Sequence, residues 1–421
     1  MKSPLPESPW YVEGDPWELT QNGWNAEKNI YFETIFTQSN GYLGVRGYPE
    51  ETSPKLKSHR EGYLGGVFAR IDKAAVTQIK VDYPWPMLCM VTLPELFACK
   101  IQLAGETFHL EQGTLHSHRR TLSMKNGEMI RDLDWESPKG HRTRLVMKRF
   151  LSAATPHLAM QKIEITPENW HGEASLEFEL DGKIPSIFRC GDRSQPHLVQ
   201  KLLEKVSVTH PEGAPSLLSM QTVGTHHRIV IASVTPQSVP VKTDPLVLRQ
   251  KATLSLKRGE TFVMNRAITV ASSRDVEDPA EVDKLASEVA RDAIRAGYET
   301  SLKESSQVWE HRWKSSDVAI EGPARDQAYL RYGTFSMLQM APFHTDRMSI
   351  PARAYAFNRY HGLYYWDSET FLMPQFLHSH PEVAENLLSF RYHTLPGARR
   401  NAAHLGALGA CFPWMTDSQD G

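Results

Sequence analysis

The stretch Ala174-Ser-Leu-Glu-Phe-Glu-Leu-Asp-Gly182 alternates apolar and polar side chains without a break and stops at an Asp-Gly pair. Successive side chains of an extended backbone point to opposite faces. Ala174, Leu176, Phe178 and Leu180 therefore line a buried face, with Ser175, Glu177, Glu179 and Asp181 on the other, and Asp-Gly marks the turn. The pattern returns at Ala252, Leu254 and Leu256 before Arg258-Gly259, and at Ile163 and Ile165 before Pro167. Short strands punctuated by Gly, Pro and Asp predict antiparallel sheets packed face to face, a large β-sandwich over residues 1–272. No repeat of fixed length points to a propeller or solenoid.

Past Ser272 the period changes. Asp278-Pro279 reads as an N-cap followed by proline at the first helical position, with Val282, Leu285, Val289 and Ala293 on one helical face. After Gly297 a second helix aligns Leu302, Trp309 and Trp313, a stripe better suited to packing than to ligand contact. These helices form a linker over 273–323. From Ala324 the pattern stays helical: Pro381-Glu382 opens a helix with Val383, Leu387 and Phe390 on one face. Leu395-Pro396 breaks it before a run through Ala398, Ala402 and Leu405 that ends at Gly406. Residues 324–421 thus read as αα-hairpins.

A chain of 421 residues exceeds what one compact core serves and implies two or three domains. A net charge of −2 excludes a globally basic nucleic-acid binder. No apolar leader follows Met1, and no run approaches the roughly 18 residues of a membrane span, so the expected location is the cytosol. Cys89, Cys99, Cys190 and Cys411 have neither metal-ligand nor disulfide-framework spacing and are expected to be buried free thiols. The pair Arg119-Arg120 and the charges Lys201, Glu204 and Lys205 read as solvated surface.

One segment carries chemistry. Tyr360-His-Gly-Leu-Tyr-Tyr-Trp-Asp-Ser-Glu-Thr-Phe-Leu-Met-Pro374 gathers aromatic rings, a histidine and two carboxylates. A pyranose presents an apolar C–H face that stacks on an indole or phenol and hydroxyls that donate to carboxylate oxygens, so this composition suits a sugar-binding cleft. Core packing is the competing reading for Trp366, a helix N-cap for Asp367, an exposed helix-start carboxylate for Glu369 and a surface ion pair for Arg353.

Several segments, in order, resemble family 65 glycoside hydrolases, the group of maltose, kojibiose, nigerose and trehalose phosphorylases. They are Glu33-Thr-Ile-Phe-Thr-Gln-Ser-Asn-Gly-Tyr-Leu-Gly-Val-Arg-Gly47, Leu122-Ser-Met-Lys-Asn-Gly127, Asp134-Trp135, Lys148-Arg-Phe-Leu-Ser152, Trp366-Asp-Ser-Glu-Thr-Phe-Leu-Met-Pro374 and Leu405-Gly-Ala-Leu-Gly-Ala-Cys-Phe-Pro-Trp414. The resemblance implies an N-terminal super-β-sandwich, a helical linker and the first part of an (α/α)6 catalytic barrel, matching the order read from periodicity. It implies inverting phosphorolysis of an α-linked glucosyl disaccharide to β-glucose 1-phosphate, with inorganic phosphate as co-substrate and neither metal nor other cofactor. By resemblance Trp366 and Asp367 hold the glucosyl ring, Arg353 borders the same pocket, Glu369 supports the pair, and the sandwich contributes homodimer contacts. The general acid and the phosphate loop of the family fall beyond Gly421, so no catalytic residue is assigned here and the chain alone is expected to be inactive.

Two departures stand out. The family has Gly-His where this chain has Gly362-Leu363, with His361 on the other side of the glycine, and it has glutamate where Met415 follows Phe412-Pro-Trp414. Two readings compete with phosphorolysis: a hydrolase of the same family, trehalase-like or acting on glucosyl-hydroxylysine, and a non-catalytic carbohydrate-binding or assembly module.

Overall fold

In a computed structural model the chain is described over residues 15–53, 55–71, 87–188, 198–236, 238–241, 243–356 and 358–417. A nine-stranded antiparallel sheet dominates. Its spatial order is Glu18–Asn22, Thr114–Ser123, Met129–Glu136, Arg142–Leu151, Leu158–Pro167, Phe262–Ser272, Arg228–Val234, Ser216–Thr222 and Leu203–Thr209. Two smaller sheets cover one of its faces. A five-stranded sheet includes Cys99–Leu103, Gly172–Asp181 and Val247–Leu256, and a four-stranded sheet comprises Gln38–Ser39, Leu43–Val45, Gly62–Ile71 and Met87–Leu93.

The opening alternation is realised as read. Ala174, Leu176 and Phe178 pack with Ala252, Leu254 and Leu256 onto Ile163, Ile165, Leu145 and Trp135 of the large sheet. Leu180 joins the second half of the sandwich core, where Leu43, Val45, Leu64 and Val91 meet Ile229, Ile231, Ile268 and Val270. The run Ile229-Val-Ile-Ala232 does not alternate because it is buried on both sides: Ile229 and Ile231 face the sandwich, while Val230 and Ala232 lie under a helix.

A short helix, α1 (Asn29–Ile35), adds Phe32 to a cluster with Leu19, Leu122 and Met129 of the large sheet, and among the described residues six further α-helices follow: α2 (Val282–Ala296), α3 (Tyr298–Lys314), α4 (Ala324–Met340), α5 (Met373–Ser379), α6 (Pro381–His393) and α7 (Leu395–His404). Asp278 caps a 3-10 turn at Pro279 by accepting from the Ala280 N–H before α2 begins. Val282, Ala286 and Ala290 then press onto the outer face of the large sheet. Trp309 stacks on Phe335 with ring centroids 5.1 Å apart, and Trp313 meets Trp17 edge-on at 4.8 Å, so both tryptophans are packing residues as the stripe predicts.

Three expectations need correcting or narrowing. Arg119 is exposed, but Arg120 is fully buried, donating to Gln21 Oε1 and the Gly47 carbonyl beside the Phe36 ring. A strand sends adjacent side chains to opposite faces, so the pair was never one surface feature. Arg120 belongs to an interior set in which Arg131 holds Glu50 and Glu51 at 2.5 and 2.8 Å and Arg149 reaches Glu50 at 3.3 Å. Leu405 lies just past α7 and faces solvent, because the helix ends one residue earlier than its apolar spacing suggested. Cys89 and Cys99 are buried, Cys411 is only partly so, and Cys190 lies outside the described residues.

Candidate sugar-binding site

The four-stranded sheet is the platform on which the candidate segment rests. Tyr63, Phe68 and Met90 of that sheet pack with Met348, Tyr355, Leu363, Tyr364 and Tyr365. The Tyr355 ring lies against Gly44 so closely that a methyl group there would sit 1.9 Å from Tyr355 Cβ. Tyr355 donates to the Gly41 carbonyl at 2.9 Å, Tyr364 Oη accepts the Gly66 N–H at 3.1 Å, and Tyr63 Oη accepts the Asn358 N–H at 3.2 Å. The segment turns sharply through Tyr360, His361 and Gly362, with φ of 61°, 60° and 65°. Consecutive non-glycine residues in the left-handed region are costly and persist where the surroundings hold them, often at functional sites. Here the tight approach of Gly362 to Met90, where an added Cβ would fall 2.6 Å from Met90 Cβ, fixes the turn.

Beyond the turn, Tyr364–Tyr365 pairs antiparallel with Met415–Thr416. That short pairing assembles a row of rings. Tyr360 and Tyr365 are 5.7 Å apart, Tyr365 and Trp414 5.6 Å, and Trp414 and Trp366 4.8 Å, all near edge-to-face. Tyr360 and Trp366 are each 43% exposed and Trp414 51%, so this is a wall presented to solvent rather than a core. Burial, with Tyr360 and Asp367 nearby, pushes the Tyr365 hydroxyl up to about 12, and burial lowers His361 to about 4, so both are neutral at pH 7.

Asp367 directly follows the exposed indole. It stands at the start of the turn Ser368–Leu372, yet its side chain makes no capping hydrogen bond. Among the described residues its partly buried carboxylate has no hydrogen-bond or salt-bridge partner. Core packing for Trp366 and N-capping for Asp367 therefore both fail to account for these side chains.

The other two candidates lie elsewhere. Glu369 is engaged by α6, accepting from Arg391 Nη2 at 2.7 Å. Arg353 is exposed and meets the far end of the row, its guanidinium 5.6 Å from the Tyr360 ring, with Arg359 at 5.2 Å from the same ring. Trp414 is the site residue that reading the sequence for sugar contacts passed over. Its signal was the tripeptide Phe412-Pro-Trp414, but only the two-residue pairing with Tyr364–Tyr365 brings it to Trp366. No cluster of three or more His, Cys, Asp or Glu suited to a metal occurs among the described residues.

Comparison with known proteins agrees with this architecture. The family model "Glycosyl hydrolase family 65, N-terminal domain" matches residues 19–312, and "Glycosyl hydrolase family 65 central catalytic domain" matches 331–421. A kojibiose phosphorylase of Halothermothrix orenii is 31% identical over 413 residues, covering 94% of this chain and 50% of that protein. An alpha,alpha-trehalose phosphorylase of Thermoanaerobacter brockii is 29% identical, covering 96% and 53%, and a maltose phosphorylase of Bacillus subtilis 27%, covering 97% and 53%. A solved structure described as a putative kojibiose phosphorylase from human microbiome superposes with a TM-score of 0.85 at 22% identity over 97% of this chain and 53% of its own, a likeness of fold. The chain spans about half the length of the curated relatives it matches. With the super-β-sandwich, the helices that follow it and the tryptophan-aspartate segment in place, the chain belongs to glycosyl hydrolase family 65.

Proposed function

We propose that this chain forms the glucosyl-binding wall of an inverting phosphorylase of α-linked glucosyl disaccharides, which with inorganic phosphate would yield β-glucose 1-phosphate and a free sugar. The observation that carries the reading is the unengaged carboxylate of Asp367 beside the exposed indole of Trp366. The indole offers a face for the C–H surface of a pyranose, and the carboxylate accepts its hydroxyls through charge-assisted bonds. Phosphate would act as nucleophile, so the reaction needs one carboxylic acid to protonate the leaving oxygen and no second carboxylate to activate water. Arg353, its guanidinium 5.6 Å from the Tyr360 ring at the other end of the aromatic row, is proposed to border the same pocket, with Glu369 supporting the Trp366–Asp367 pair. No metal or organic cofactor enters the proposal, and the expected setting is the cytosol.

The proposal also holds that the chain binds without turning substrate over. Glu369 is the carboxylate nearest Asp367 in sequence, and it is committed to Arg391. Phosphorolysis needs a carboxylic acid free to reach the leaving oxygen, and a Glu369 tied to Arg391 does not offer one; hydrolysis would need in addition a second carboxyl on the opposite side of the bond, about 6.5–9.5 Å away. Binding without cleavage, the reading as a carbohydrate-binding module, is therefore the expected behaviour of the purified chain. Titration with glucose, kojibiose, maltose and trehalose followed by tryptophan fluorescence tests it, alongside an assay for glucose 1-phosphate in phosphate buffer. Saturable quenching with no product is expected. Product well above the blank would show that an acid is present after all, and no response to any sugar would remove the site.

A further inference from the structure

We propose that Arg391 is the positioning residue that sets the geometry of the aromatic wall, tying the segment that carries Trp366 and Asp367 to the separate segment that carries Trp414. The inference rests on the sugar-binding reading of that wall. Arg391 lies in the last turn of α6 and is nearly buried. Its Nη2 donates to Glu369 Oε2 at 2.7 Å, two residues after Asp367. The same guanidinium lies 6.0 Å from the ring of Phe412, two residues before Trp414, and 5.4 Å from its neighbour Phe390. Phe390 in turn meets Tyr364 edge-on at 5.2 Å, inside the pairing that brings Met415–Thr416 to the wall. One side chain on a third element therefore meets both of the segments that carry the wall, at Glu369 and at Phe412.

The form of the contact argues for placement rather than stability. A guanidinium and a carboxylate that meet to stabilise a fold usually do so as a two-bond fork. Here one bond is made, and Glu369 Oε1 and Arg391 Nη1 are both buried without a partner. A buried pair with unsatisfied atoms is a poor stabiliser, and its attested use is to fix one arrangement among several. The Trp414 segment also has its own attachments to α7: the Cys411 N–H donates to the Ala398 carbonyl, and Asn401 Nδ2 to the Cys411 carbonyl, both at 2.9 Å. Loss of Arg391 should thus shift the wall without unfolding the chain.

The test uses the full chain labelled with 5-fluorotryptophan, with the Trp366 and Trp414 resonances assigned from Trp366→Phe and Trp414→Phe. In Arg391→Gln both fluorine resonances are expected to move by more than their linewidth while the remaining indole signals stay in place. Arg391→Lys keeps a charge for Glu369 but loses the planar group over Phe412, so it should restore the Trp366 resonance and leave that of Trp414 displaced. Unchanged Trp366 and Trp414 resonances in Arg391→Gln overturn the proposal, as does movement of all the indoles together with a retained fold. If Arg391→Gln loses signal dispersion altogether, Glu369→Gln, which removes only the ion pair, is judged by the same criterion on the Trp366 resonance. Glucose titrations are scored separately: a displaced wall with no sugar affinity in the parent chain sinks the sugar-binding reading and leaves the positioning role standing.

Discussion

Asp367 begins a turn of helix and leaves its carboxylate idle. Aspartate at such a place ordinarily satisfies a free backbone N–H, worth about 1 kcal/mol, so replacing it should cost the fold little and the site much. Asp367→Asn keeps the shape and removes the charge. Loss of charge-assisted hydrogen bonds of about 1.5–3 kcal/mol predicts glucose affinity reduced about 10- to 100-fold, read by calorimetric titration, with the thermal midpoint within a degree or two of the parent. An equal affinity would show that the carboxylate does not touch the sugar. At this scale the sequence was legible in part: it grouped the rings around Trp366, and Tyr360, Tyr365 and Trp366 do stand in one row with Trp414. It was illegible where the partner is distant. Nothing near Glu369 announces Arg391, and nothing near Arg120 announces Gln21 and the Gly47 carbonyl.

Among the elements, the strands were the easiest to read, because alternation is enforced wherever one face is buried; Gly172–Asp181 and Val247–Leu256 pair in register through Leu176 and Ala252. The two-residue pairing of Tyr364–Tyr365 with Met415–Thr416 is too short to have a period, and so the meeting of Trp366 with Trp414 could not be read. The stretches 348–356 and 358–366 likewise have no pattern of their own; Met348, Tyr355, Leu363 and Tyr364 in them pack on Tyr63, Phe68 and Met90 of the four-stranded sheet. Gly44 is where that dependence can be measured. A methyl group there would overlap Tyr355 Cβ and Cγ, at 1.9 and 2.3 Å, so the Gly44→Ala chain must displace the loop or the strand. Overpacking of this kind costs about 1–3 kcal/mol. A lower urea midpoint with weakened sugar response is expected; a site indifferent to the substitution would mean that the sheet does not support the loop.

For the molecule as a whole, buried histidines set the acid limit. Burial first, with repulsion from Arg131 and Arg120, holds His118 down to about 2. Burial likewise lowers His227 and His344 to about 4. An unfolded histidine titrates near 6.5, so on acidification the unfolded chain takes up protons that the folded one refuses. The stability these groups confer is complete above about pH 6.5 and drains away as pH falls toward 4. Guanidinium midpoints should decline across that window, and His118→Gln should flatten the decline. A midpoint independent of pH between about 7 and 4 would show that these imidazoles protonate in the folded state. The general order of sandwich, then helices, was visible in the change of period near Ser272. The burial that shifts these histidines was not, since it comes from contacts between distant parts of the chain.

The order of strands in the large sheet bears on how the protein is made. An interior strand of the sheet, Phe262–Ser272, sixth in spatial order, is the last of its nine in the chain, and it pairs on one side with Leu158–Pro167 and on the other with Arg228–Val234. During synthesis a block of five strands and a block of three emerge first, each ending in an unpaired edge of the kind that invites association between chains. They become one sheet only when residues 262–272 leave the ribosome, and Val230 and Ala232 stay uncovered until α2 follows. The nascent chain thus passes through a long interval in which its most adhesive surfaces are open, and the burden on holding chaperones should peak just before the short span of translation that delivers this joining strand and α2.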